Sequence, residues 1–73
     1  MWTIDKKKMG MHLYKLIDKS GMSMEEVSQK SDISKNTLYN WAEGRHIPPL
    51  DKLVRHAYAL EKPIQDLIVI DIT

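Results

Sequence analysis

Residues 23–44, SMEEVSQKSDISKNTLYNWAEG, leave a chain of 73 residues few ways to fold. Each place where a helix must begin or end carries a residue type suited to it. Ser23 is a strong N-cap, and Glu26 three residues later makes a capping box. Val27 begins the buried side of a first short helix. Ser31, Asp32 and Ile33 interrupt the helical pattern, and Asp32 is among the few non-glycine types that tolerate a left-handed backbone. Ser34 caps a second helix running to about Glu43, with Gly44 as its C-terminal stop. The stretch therefore reads as two short helices joined by a tight turn.

The second of these helices has two distinct faces. Leu38, Trp41 and Ala42 stand at i, i+3 and i+4, so they share one side and are expected to be buried. Lys35, Asn36, Tyr39 and Asn40 fall opposite, with Thr37 at the edge. Such a face suits base edges in a major groove: Asn can bond adenine through two hydrogen bonds, Lys can reach guanine acceptors, and a Thr methyl can touch the thymine methyl. For a lone helix an ordinary solvated face explains the same residues. The layout around it favours the DNA reading.

That layout is carried by Gly21-Met22-Ser23, Glu25-Glu26-Val27-Ser28, Ile33-Ser34, Trp41-Ala42-Glu43-Gly44 and Pro48. In this register it resembles the phage-repressor (Cro/repressor-like, XRE-type) helix-turn-helix family over roughly residues 9–67. The resemblance implies an all-α, compact five-helix lambda-repressor-like DNA-binding domain, with room for a short C-terminal strand. It also implies a DNA-backbone role for Arg45, directly after Gly44. Two departures stand out. Members of the family commonly have Gln where Met24 stands, and that Gln often bonds a phosphate. Many also pair an Arg near the end of the first helix with a Glu after the Trp, where this chain has Ile17 and Ala42. Replacing both halves of an ion pair by apolar groups strands no charge and is often neutral or stabilising. Ile17 and Ala42 are accordingly expected to pack near each other.

The remaining chain reads as further helices around this motif. Asp5 is a suitable N-cap for a helix to about Lys19, whose apolar positions Met9, Leu13, Leu16 and Ile17 form one stripe. Lys6, Lys7 and Lys8 occupy its first turn, where the helix dipole disfavours cations; a solvated turn and a nearby phosphate both account for them. Ser20 and Gly21 end it. Pro48 and Pro49 fix a loop and open a fourth helix, with Pro49 in its first turn. Its expected buried face is Leu50, Leu53, Val54, Ala57 and Leu60, with Tyr58 at the edge. Pro63 then breaks the chain, and residues 64–68 read as a short fifth helix. Trp2 and Ile4 alternate with Thr3 as in a strand, or form an arm over the first helix. The β-branched tail, residues 67–73, has three readings: a strand pairing across a dimer, a cover for the core, or a hairpin-like partner of residues 2–4.

Composition narrows the function. The length corresponds to one domain, residues 1–73. There is no cysteine, hence no disulfide framework and no thiolate metal site. The longest apolar run, residues 67–70, is too short to span a membrane, and the N-terminus lacks a signal-peptide core, so a cytoplasmic location is expected. The net charge is only +1, but residues 61–73 hold Glu61, Asp66 and Asp71 against Lys62, which leaves the basic excess elsewhere. His12, His46 and His56 show no metal-ligand spacing. The three glycines are far apart, and each is assigned to a turn, so no phosphate loop is expected. Ser23 and Ser34 have no evident His or acid partner for nucleophilic catalysis and read as caps.

The expected protein is a non-enzymatic regulator that binds double-stranded DNA sequence-specifically, as a repressor and a homodimer. No cofactor or small-molecule ligand is expected. Base contacts are assigned to Lys35, Asn36, Thr37 and Asn40, and backbone contacts to Ser34, Tyr39, Arg45 and Lys30. The alternative is a helix-turn-helix module that acts mainly through a protein partner, as an antitoxin-like or adaptor subunit.

Overall fold

The computed structural model describes residues 2–72, with side chains described from 3 to 70. Four α-helices follow one another: α1 (Lys6–Ser20), α2 (Met24–Ser31), α3 (Lys35–Ala42) and α4 (Leu50–Leu60). A 3-10 turn, Ile64–Leu67, comes next. Two-residue strands close the ends, β1 (Trp2–Thr3) pairing antiparallel with β2 (Asp71–Ile72), so that Trp2 lies opposite Ile72 and Thr3 opposite Asp71. The tail thus pairs with residues 2–3 of its own chain. The Trp2 side chain lies outside the described residues.

The helix ends follow from the local chemistry. The Asp5 carboxylate accepts from the amides of Lys7 and Lys8 at 2.9 and 3.1 Å, and those bonds, that from Lys8 foremost, hold its pKa below the usual value. Gly21 closes α1 in the left-handed conformation at φ 77°. Ser23 and Glu26 form the complete capping box of α2, and Asp32 ends that helix at φ 58°. Ser34 accepts the Thr37 amide at 3.2 Å to start α3. At its end the amides of Gly44 and Arg45 reach the carbonyls of Trp41 and Asn40, the two bonds of a Schellman stop, with Gly44 at φ 75°.

Three expectations about the elements are corrected. The fifth helix is a single 3-10 turn, because only four residues separate Pro63 from Ile68, whose backbone is already extended. Pro49 is the N-cap residue of α4, with an extended backbone, and not part of its first turn. The buried face of α4 is Leu53, His56, Ala57, Ala59 and Leu60, whereas Leu50 and Val54 are exposed. α2, α1 and the 3-10 turn all pack against α4; spacing alone could not tell which edge of its apolar arc they would cover.

The core joins Met9, Leu13 and Ile17 of α1, Val27 of α2, Ile33, Leu38 and Trp41 around and in α3, Leu53, Ala57 and Leu60 of α4, and Leu67. Ile4, Leu16, Met22, Met24 and Ile64 pack against it from the rim. Ser31 is buried, with its hydroxyl donating to the Val27 carbonyl at 2.6 Å. Gly10 has no turn role, contrary to expectation. It is buried within α1, and a β-carbon there would overlap the Trp41 carbonyl oxygen. Its missing side chain is what lets α1 lie directly against the end of α3.

Ile17 and Ala42, expected to pack near each other, border different hollows. The close approach at Gly10 sets the register of α1 against α3, and Ile17 lies two turns, roughly 10 Å, further along α1. Ala42 borders a hollow with Met11, Tyr14, Lys15, Tyr39 and Glu43; Ile17 borders a different one with Tyr14, Asp18 and Met22. Tyr14 borders both. No described helix is long and apolar enough to cross a membrane.

Candidate nucleic-acid interface

The candidate surface is built on α3, which is held from behind. Leu38 and Trp41 are buried, and the Trp41 ring lies 6.1 Å from that of His56 in α4. Capping at Ser34 and the stop at Gly44 fix both ends, so the outer face of α3 is presented by a rigid support.

On that face Lys35, Asn36 and Tyr39 are exposed, while Thr37 and Asn40 are half-buried. Among the described residues nothing ties down the Asn36 side chain. The Thr37 hydroxyl is engaged at 2.8 Å with that of Ser34, so these two residues brace each other at the N-terminal end. Tyr39 borders the hollow shared with Met11 and Tyr14 of α1.

Two cations of the surface carry acidic partners that spacing did not reveal. The Lys35 ammonium meets the Glu25 carboxylate of α2 at 3.0 Å, and Arg45 Nε meets Glu43 at 2.9 Å across Gly44. All four side chains are more than half exposed, so these pairs are weakly held and can exchange for another anion. Lys35 and Glu25 are ten residues apart, and only the turn between α2 and α3 joins them. Lys30 is grouped elsewhere: it borders a hollow with Ala57, Tyr58, Glu61 and Lys62 at the end of α4. Met24, where the resemblance would put a phosphate-binding Gln, packs against the core.

Gly10 is the supporting residue that the sequence reading missed. Its signal was available, because an internal glycine costs a helix about 1 kcal/mol relative to alanine and so marks a close approach.

A buried two-helix motif with a capped outer helix defines a class of protein, and comparison with known families agrees. The family model described as Helix-turn-helix matches residues 13–67. The chain belongs to the helix-turn-helix family, of the XRE type, and DNA-binding transcriptional regulation is the function that goes with it. Among solved structures, it is similar to the restriction-modification controller protein C.AhdI from Aeromonas hydrophila, with a TM-score of 0.83 and 23% identity over 88% of this chain and 97% of that one. It is also similar to the clp gene regulator ClgR from C. glutamicum, with a TM-score of 0.79 and 20% identity over 89% of this chain and 84% of that one. At these identities the likeness shows the fold. Curated proteins give no match to the sequence.

Proposed function

We propose that the protein is a one-domain, cytoplasmic, non-enzymatic repressor that binds double-stranded DNA sequence-specifically as a homodimer, with α3 in the major groove. The observation that carries this is the exposed Asn36 on the outer face of α3, directly opposite buried Leu38 and Trp41. Lys35, Asn36, Thr37 and Asn40 read bases, and Ser34, Tyr39, Arg45 and Lys30 bind the backbone. Base contacts choose the sequence, and phosphate contacts add affinity without choice. Two copies would engage half-sites about 34–36 Å apart, one turn of DNA. Bound over a promoter, such a protein represses by occupancy.

The test is selection from a random duplex pool, with the Lys35→Ala/Asn40→Ala protein as control. An enriched motif with two-fold symmetry, lost in the control, is expected; no enrichment at low salt would overturn the reading. Affinity should also fall with salt, with a log–log slope of about −0.9 per phosphate neutralised.

Two substitutions probe individual residues. Asn36→Ala should lose preference at defined base positions, by roughly 1–3 kcal/mol against the wrong base. An equal loss on every duplex, measured by competition binding, would remove Asn36 from base reading. Glu25→Gln should tighten binding by roughly twofold to fivefold, since it releases Lys35 from an exposed ion pair and removes a negative charge beside the DNA. Unchanged affinity in a titration at fixed salt would mean that Lys35 contributes nothing to the complex.

A further inference from the structure

Leu50, Val54 and Tyr58 recur every four residues along α4 and are 68%, 50% and 80% exposed. That spacing puts them in one stripe along the uncovered edge of α4's apolar arc, beside the buried Leu53 and Ala57. Ile47, also exposed, stands just before the helix. Three large apolar side chains in line on a solvent face mark an interaction surface, and a domain this small gains stability by association.

The flank of the stripe says what covers it. Asp51 and Arg55 are both exposed there, one turn apart, the acid nearer the start of α4 and the base nearer its end. Among the described residues neither forms an ion pair within its own chain. An acid-to-base order along one edge is complementary to the same edge reversed. We propose that the stripe is the site where a second copy of this chain docks, α4 against α4, antiparallel about a two-fold axis close to Val54. This rests on the homodimer reading above and assigns its interface.

Two-fold antiparallel packing sets Val54 against Val54, and Leu50 level with Tyr58 of the second copy. It brings Asp51 to within about 3 Å, measured along the axis, of Arg55 of the second copy, on the same side of the contact. Parallel packing would leave the Asp51–Arg55 edges of the two copies on opposite flanks of the contact, where they could not pair, so the charges favour the antiparallel direction. The tail is already engaged with β1 of its own chain. The docking face of α4 is distinct from the outer face of α3, which stays open to DNA.

Sedimentation equilibrium of the full chain tests the interface. The unaltered protein should dimerise. Asp51→Arg and Arg55→Asp, each alone, should weaken association by about tenfold, and the combined Asp51→Arg/Arg55→Asp protein should recover most of it. Val54→Glu, which sets two carboxylates against each other at the axis, should abolish the dimer and leave the far-ultraviolet circular dichroism unchanged. A monomeric unaltered protein, a Val54→Glu protein that still dimerises, or charge swaps whose losses merely add would each overturn the assignment. DNA binding separates this from the broader function: Val54→Glu should bind an isolated half-site as the unaltered protein does and lose cooperative binding to the two-fold site. If the unaltered protein binds no duplex at all, the DNA reading fails while the sedimentation result stands on its own.

Discussion

Gly10→Ala is expected to lower the stability of this protein by about 3 kcal/mol, against every expectation from helix propensity. In an isolated helix the change would be favourable by about 1 kcal/mol. Here the added methyl would overlap the Trp41 carbonyl oxygen and come within 3.1 Å of that of Ala42. The obstacles are backbone atoms at the end of α3, so no side chain can turn aside, and α1 and α3 must separate. Overpacking of a tight contact costs typically about 1–3 kcal/mol and sometimes more. A domain of this size has only some 4–10 kcal/mol in all. The substitution should therefore lower the midpoint of thermal unfolding by roughly 15 °C. Because the strained contact lies on the helix that bears Asn36 and Lys35, DNA affinity should fall with it. Unfolding in urea decides the matter: a midpoint equal to that of the unaltered protein would mean that α1 does not touch α3 at Gly10.

His56 governs the second large effect, the response to acid. The ring is fully buried, and among the described residues neither nitrogen has a hydrogen-bond partner. Desolvation therefore disfavours its charged form and lowers its pKa from 6.5 to about 4. Between these values the unfolded chain binds a proton that the folded chain does not. Stability should be unaffected by this group above pH 6.5, decline as pH falls from 6.5 towards 4, and level off below that. The full loss is about 3 kcal/mol. His56→Leu keeps the ring's space filled with apolar atoms and removes two unpaired buried nitrogens, whose desolvation costs about 1–3 kcal/mol. The variant should be more stable at pH 7 and should lose the decline between pH 6.5 and 4. Denaturant melts at pH 7, 5.5 and 4.5 would show both effects. A variant whose stability still falls as steeply across that range would assign the acid response to other groups.

The two residues behind these effects were unequally legible. Glycine usually marks a turn, yet the place of Gly10 amid a strong helical pattern points to a close approach. His56 carried no such sign. Helical spacing sets its neighbours Leu53, Ala57 and Leu60 on the core side, where they are found, but a histidine beside them fits the edge as well. On the candidate interface, the exposure of Lys35, Asn36 and Tyr39 was readable from helical spacing, since one face of α3 had to be buried. Their acidic neighbours were not, because Glu25 reaches Lys35 only through the path of the turn.

What this sequence determined by itself was local. Caps at Asp5, Ser23 and Ser34, left-handed stops at Gly21, Asp32 and Gly44, and the spacing of Leu38 and Trp41 act within a few residues of themselves, through hydrogen bonds and backbone sterics that need no distant partner. Together they define the two-helix motif and the face of α3 turned outward. Tertiary structure decided how the elements meet. It set α1 against α3 at Gly10, left Leu50 and Val54 outside, buried His56, reduced the fifth helix to one turn and paired the tail with residues 2–3. Each of these depends on which surface of one helix reaches which surface of another, a relation between residues far apart in the chain that periodicity along any single helix cannot contain.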